Sequence, residues 1–275
     1  MSSASSVAWE SDGPPPPYQE KADGHAPSRS SASPSAFAPT CQLQIEAIGY
    51  DFDQALIGKT FENIPVHRVD TGELEYLSLR LKKSSNSCAL VRGSDPDRTP
   101  LIATLYCWGP GRPPKMRILP RATSLTVEEA IHSDHVECEL VDVRSRSLFS
   151  RTQRFDTSFG KFEWRYGGGS ERAEAYDAAS LLVMERIDLS SSAGGMKGKR
   201  GIRVAQLVRN DEFRTPGTTR YMGGNGGRLM MDLSSWSDGK SAAIRDVEAF
   251  VVASCICMLK REGDRFQDNQ IAAVS

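Results

Sequence analysis

Apolar and polar residues alternate with a period of two along much of the chain after Cys41. That period is the mark of a strand with one face buried. Leu43, Ile45 and Ala47 alternate with Gln42, Gln44 and Glu46, and Leu77, Leu79 and Leu81 with Ser78 and Arg80. Ala89 and Val91 follow, then Leu101, Ala103, Leu105 and Cys107, then Met116 and Ile118 before Pro120. Val136, Cys138 and Leu140 alternate with Glu137 and Glu139; Phe162, Trp164 and Tyr166 alternate with Glu163 and Arg165. Leu181 to Ile187, Ile202 to Val208 and Leu229 to Leu233 read as further strands. Turn signals separate them, among them Asp70-Thr71-Gly72, Gly109-Pro110-Gly111 and Gly167-Gly168-Gly169. Many short strands at this spacing predict a barrel or a sandwich. Thr126 to Ser133 reads as a short helix or a connecting loop.

The last element changes period. From Ala243 to Arg261 the middle of the run is apolar nearly all round, with Ile244, Val247, Phe250, Val251, Ile256, Met258 and Leu259. Such a helix is surrounded by protein rather than laid on a surface. Charges bracket it, so it predicts a core helix and not a membrane span, which needs roughly 20 apolar residues. Lys260, at its end, is expected to be replaceable by alanine at little cost.

Residues 1–40 are rich in Ser, Pro, Ala and Gly, a composition that cannot offset its own ordering entropy. They are expected to be a disordered tail, as are residues 266–275. The chain has 275 residues and a net charge of −1, so as a whole it offers no general attraction to nucleic acid or anionic membranes, and any such attraction must come from local patches. The N-terminus lacks the basic and apolar regions of a signal peptide. The six cysteines show no C-x-x-C pair, and they read as reduced thiols of the cytoplasm or nucleus.

The order of elements resembles the tubby C-terminal-like superfamily, which includes tubby proteins, phospholipid scramblases and plant LURP-one-related proteins. The resemblance rests on Phe159 to Tyr166, Ser180 to Glu185, Gly227 to Asp232 and the helix from Ile244 to Leu259. These patches look like a set of uncharacterised fungal proteins of this fold. The resemblance implies a mainly β fold over residues 41–265: a closed antiparallel β-barrel around a hydrophobic C-terminal helix at 243–261. It also implies contact with anionic phospholipid, or lipid handling of scramblase type. The cysteine-rich lipidation stretch and acidic calcium-binding segment of scramblases have no counterpart in this sequence.

Candidate chemistry is sparse. Pro15, Pro16, Pro17 and Tyr18 form a P-P-x-Y motif. Prolines pre-form a polyproline II helix, so little entropy is lost on docking to a WW domain, such as those of HECT-type ubiquitin ligases. The plainer alternative is a solvating tail. Lys197, Lys199, Arg200 and Arg203 cluster among glycines, as a basic loop that can meet phosphate headgroups or as a solvated hairpin. Arg144, Arg146, Arg151 and Arg154 form a second basic group. Gly223 to Gly227 lacks the Lys-Ser/Thr of a phosphate-binding loop and reads as a turn. His132, His135 and Cys138 carry ligand atoms, but no second cluster completes a metal site. No nucleophile motif appears, so neither an enzyme nor a cofactor is expected. The leading expectation is a non-enzymatic interaction module. An enzyme whose site is assembled from scattered residues is the remaining alternative.

Overall fold

The computed structural model describes residues 37–56, 61–82, 85–106, 113–147, 150–188, 201–237 and 241–274. The four proline-motif residues, Lys197, Lys199 and Arg200 lie outside these ranges.

Thirteen antiparallel strands form one sheet that curls into a nearly closed barrel. In chain order they are β1 Cys41–Ile45, β2 Ile64–Arg68, β3 Leu74–Arg80, β4 Cys88–Arg92, β5 Pro100–Leu105, β6 Lys115–Ile118 and β7 Glu139–Asp142. Then come β8 Arg144–Ser145, β9 Gln153–Thr157, β10 Gly160–Tyr166, β11 Ser180–Arg186, β12 Ile202–Arg209 and β13 Gly227–Met231. The spatial order runs from β7 back to β1, across to β13, and down to β8. Its two ends are joined in sequence, because only Val143 separates β7 from β8. β7 pairs with β6, and β8 pairs with β9. Glu139 ties the seam by accepting from the Ser158 amide and hydroxyl, both at 2.6 Å. The two edge strands have only 4 and 2 residues, so little unpaired edge is left among the described residues.

Inside runs α4, Ser241–Val274. Every residue from Val247 to Lys260 is buried. Phe250 meets Phe155, Phe159 and Phe162 of the wall, with ring centroids 5.4–6.0 Å apart. The one polar residue of that stretch without charge is used: Trp164 Nε1 donates to Ser254 Oγ at 2.9 Å, and Ser254 donates to the Val251 carbonyl. A buried indole N–H would otherwise lack a partner.

Charged residues clamp the start of the buried stretch. Glu248, 5 % exposed, accepts from Tyr76 Oη at 2.9 Å and Arg68 Nη2 at 2.8 Å. Arg68 Nε reaches Glu75 at 2.8 Å, and Arg92 pairs with the same Glu75. Cys41 donates to Glu248, and burial pushes its thiol up to about 12, so it stays an unreactive SH.

Three short helices lie outside the barrel. α1 is Phe52–Leu56 and α3 is Gly169–Glu174. α2, Val127–His132, resolves the helix-or-loop choice for this segment, with a reciprocal cap between Thr126 and Glu129. It buries Ala130 and Ile131 against Ala89 and Ala103 on the outer face of the sheet.

The structure corrects four readings. The strand expected at Val136 begins at Glu139, and its inward residues are Val141 and Val143 while Leu140 is 54 % exposed. The alternation there was read one residue out of phase, which swaps the faces of a strand. β2, β8 and β9 are strands without a counterpart among the expected ones; Pro65 lies within β2, where proline is unusual, and β9 turns Gln153 inward rather than an apolar residue. The helix does not stop at Arg261. No proline follows, and residues expected to be a tail continue it to Val274. Lys260 is only 1 % exposed, its Nζ donating to the Asn86 carbonyl at 2.7 Å over the face of Tyr106, so it is a core residue.

Candidate functional site

The buried helix leaves the barrel beside the glycine run between β12 and β13. A Cβ on Gly223 would lie 2.4 Å from Phe266, and one on Gly224 would lie 2.4 Å from Phe61 and 2.5 Å from the Leu259 carbonyl. Gly224 also has φ +80°. The run thus lets a loop backbone lie flat on the exiting helix, which a turn alone does not require.

That close approach frames a cleft. Two adjoining cavities of about 310 and 380 Å³ share Arg220, Tyr221, Met222 and Glu262. Five arginines line them, Arg151, Arg209, Arg214, Arg220 and Arg265, against two carboxylates, Glu262 and Asp268.

Arg209 ends β12 at 2 % exposure. Its guanidinium grips Glu262 at 2.5 and 3.0 Å, Asn225 Oδ1 at 3.1 Å and Ser180 Oγ at 2.8 Å. Its Nε has no partner among the described residues. Tyr166 Oη donates to Glu262 at 3.1 Å, and burial followed by the Glu262 charge raises its pKa. Glu262 is therefore already spent on Arg209 and Tyr166.

Arg214 is held by a rigid turn. Its amide donates to the Asn210 carbonyl, and Asn210 Oδ1 accepts from the Glu212 and Phe213 amides. Phe213 is packed under Arg228 at 4.5 Å, and Thr215 Oγ1 donates to the Ile45 carbonyl at 3.2 Å. Between these anchors Arg214 is 7 % exposed, and no carboxylate pairs with it among the described residues. Burial and the charges of Arg209 and Arg220 lower its pKa, although Asp211 opposes them. Arg265 on α4 likewise has no ion-paired carboxylate among the described residues; burial, Arg261 and Arg151 lower its pKa, although Tyr166 and Glu262 oppose them. Arg220 leans on Tyr221, and Arg151 on the Tyr166 ring at 5.8 Å. Arg214 is buried, Arg265 is half-buried and Arg220 and Arg151 are exposed; guanidinium groups so placed carry planar donor forks of the kind that can bind an oxyanion.

The predicted basic residues fare differently. Arg203 is engaged by Glu171 at 2.8 Å and Gln206 at 3.0 Å, on the outer face of β12. Of the second basic group, Arg144 pairs with Asp142, and Arg146 and Arg154 pair with Glu163. Only Arg151 joins the cleft. Sequence reading missed Arg209, Arg214, Arg220, Glu262 and Arg265, which come from a strand end, a turn and a helix. One signal was present: Arg209 directly continues the apolar strand of Ile202 to Val208, and a charge there needs a partner from elsewhere in the fold.

The class these features define is an antiparallel barrel threaded by its own C-terminal helix, with an arginine-lined cleft where that helix emerges. Comparison with family models, curated proteins and solved structures finds no match to this chain.

Proposed function

We propose that the protein is a non-enzymatic binding module whose cleft takes a phosphoryl-bearing anion, with an anionic phospholipid headgroup as the ligand class. The observation that carries this reading is Arg214, 7 % exposed, lining the cleft and with no ion pair to a carboxylate among the described residues, repelled by Arg209 and Arg220 and attracted by Asp211. A fold keeps such a charge at a cost in stability, and a bound dianion offsets that cost. The reading moves the lipid contact from the Lys197–Arg203 segment to the helix exit. It also fits the proposed resemblance to tubby-like proteins, since a barrel wrapped on a C-terminal helix is the architecture that resemblance implies. The Pro15–Tyr18 motif adds a second contact, with a WW-domain protein, so that the barrel is one half of an adaptor.

Titration of the full chain with glycerol 3-phosphate and with inorganic phosphate, followed by calorimetry, tests the cleft. Binding should weaken with salt, and Arg214→Gln should reduce affinity about tenfold or more, the loss of one charge-assisted bidentate contact. Equal affinity in Arg214→Gln, or no binding by the wild-type chain, overturns the reading.

A further inference from the structure

Large apolar side chains stand in water beside the cleft. Tyr221 is 71 % exposed, Ile48 56 % and Phe52 48 %. Scattered exposed apolar residues are ordinary, but these three belong to one small structure. Tyr50 and Gly223 exchange both backbone hydrogen bonds, at 2.9 and 3.0 Å, and the Gly226 amide donates to the Ala47 carbonyl at 2.7 Å. In that antiparallel register Ile48 lies opposite Asn225, a lining residue of the cleft. Phe52 and Tyr221 leave the pairing at the same end, two residues from the bridge on either strand. Tyr221 itself lines both cavities. Backbone pairing thus fixes an apolar rim against an arginine-rich basin.

We infer that this rim is a bilayer-docking edge: Ile48, Phe52 and Tyr221 enter the headgroup layer of an anionic membrane while the cleft holds a phosphoryl headgroup. The inference rests on the reading of the cleft as a phosphoryl site, and it adds the side chains that enter the membrane around that headgroup. Charge complementarity selects the occupant. An anionic surface attracts Arg151, Arg214, Arg220 and Arg265, the four cleft arginines with no paired carboxylate among the described residues. Aromatic rings with one polar end settle at the membrane–water interface. A soluble phosphate compound would fill the cleft without any use for Ile48 and Phe52, which do not line it. Those two residues therefore separate the two sources of the same chemistry.

The experiment uses the full chain with vesicles of phosphatidylcholine alone and of phosphatidylcholine with one-quarter phosphatidic acid. Sedimentation should recover the wild type only with the anionic vesicles, and part of the binding should persist when salt has screened the charges. The double variant Ile48→Ser/Phe52→Ser removes apolar surface that water already touches, so its melting temperature should stay near wild type. Its vesicle affinity should fall about tenfold, as expected when two partly exposed apolar side chains lose their burial in the membrane. Its affinity for glycerol 3-phosphate, measured in parallel, should be unchanged. Vesicle binding equal to wild type in the double variant overturns the docking edge and leaves the phosphoryl cleft standing. So does a wild type that binds glycerol 3-phosphate but ignores anionic vesicles. Failure to bind either probe removes the cleft and the edge together.

Discussion

Two carboxylates mark the two ends of the buried helix, and their surroundings differ. At Glu248 the charges balance locally: Arg68 bridges Glu248 and Glu75, Arg92 shares Glu75, and Tyr76 adds a hydroxyl. At Glu262 one carboxylate serves Arg209 and Tyr166, and Arg214 and Arg265 are left without a paired carboxylate among the described residues. The first arrangement needs nothing further and holds the helix in register. The second leaves arginines short of carboxylate partners, which is the ground for the proposed anion site. Burial alone does not distinguish a clamp from a site; the balance of partners does.

The largest effect tests the frame that both ends share. Phe250→Asp should abolish folding, since it removes a ring packed on three phenylalanines and buries a carboxylate without a partner. The loss of a core phenylalanine alone is about 3–5 kcal/mol, comparable with the net stability of many domains. Soluble expression followed by circular dichroism reads the outcome. A cooperative melt near the wild-type temperature would mean that the helix is not the core of the barrel.

The next effect separates the two ends. Glu262→Gln should cost about 3–5 kcal/mol, because it leaves Arg209 without its carboxylate, and Glu248→Gln should cost less, because Arg68 keeps Glu75. Added phosphate should then raise the melting temperature of Glu262→Gln, whose cleft opens to solvent, and leave that of Glu248→Gln unchanged. Equal responses in the two variants would erase the distinction drawn between clamp and receptor. Lys260→Ala belongs with these losses, at about 2–4 kcal/mol, in contrast to its expected tolerance from sequence.

The contrast also explains what the sequence made legible. Strands with apolar residues on one face, such as Phe162-Glu163-Trp164-Arg165-Tyr166, announce themselves by period, and so does the all-round apolar helix. β9 has the same geometry but offers Gln153 and Phe155 to the interior, so its period carries one apolar residue instead of two. β7 carries Leu140 outward and Val141 inward, and the count alone chose the wrong phase. The cleft was hidden for a different reason. Its arginines lie at sequence positions 151, 209, 214, 220 and 265, and only barrel closure and the flat approach of the glycine run bring them together. Local composition favoured the dense basic group at 197–203, where Arg203 has partners of its own.

A smaller effect is carried by pH at the same end of the helix. Asp264 accepts from Asn86 Nδ2 at 3.0 Å, and burial pushes its carboxyl up to about 6 from 3.8, although Arg261 and Lys260 pull it down. Between about pH 4 and 6 the folded chain holds a proton that the unfolded chain releases. Stability should therefore fall as pH rises through that window and remain lower above it, by up to about 3 kcal/mol. Asp264→Asn keeps an acceptor for Asn86 and removes the charge. Melts of this variant should gain over wild type at pH 7.5 and match it at pH 4.5; no gain at pH 7.5 would show that Asp264 is ionised in the fold at no cost.

The smallest effect is the most telling for the comparison. Arg214→Gln removes a cation with no ion-paired carboxylate among the described residues, repelled by Arg209 and Arg220 and attracted by Asp211. A residue whose charge is matched by a partner in the fold would destabilise the chain when treated this way, as at Glu262. A ligand-binding residue should do the reverse, because its charge is a burden until the ligand arrives. Glutamine keeps two N–H donors and most of the side-chain volume, so packing around Phe213 and Thr215 is preserved. Denaturation in phosphate-free buffer should show Arg214→Gln equal to wild type or more stable by about 1 kcal/mol. With saturating phosphate the order should reverse, since only the wild type gains the full binding energy. A variant that is strongly destabilised in both buffers would make Arg214 a structural cation and leave the helix exit as a second clamp.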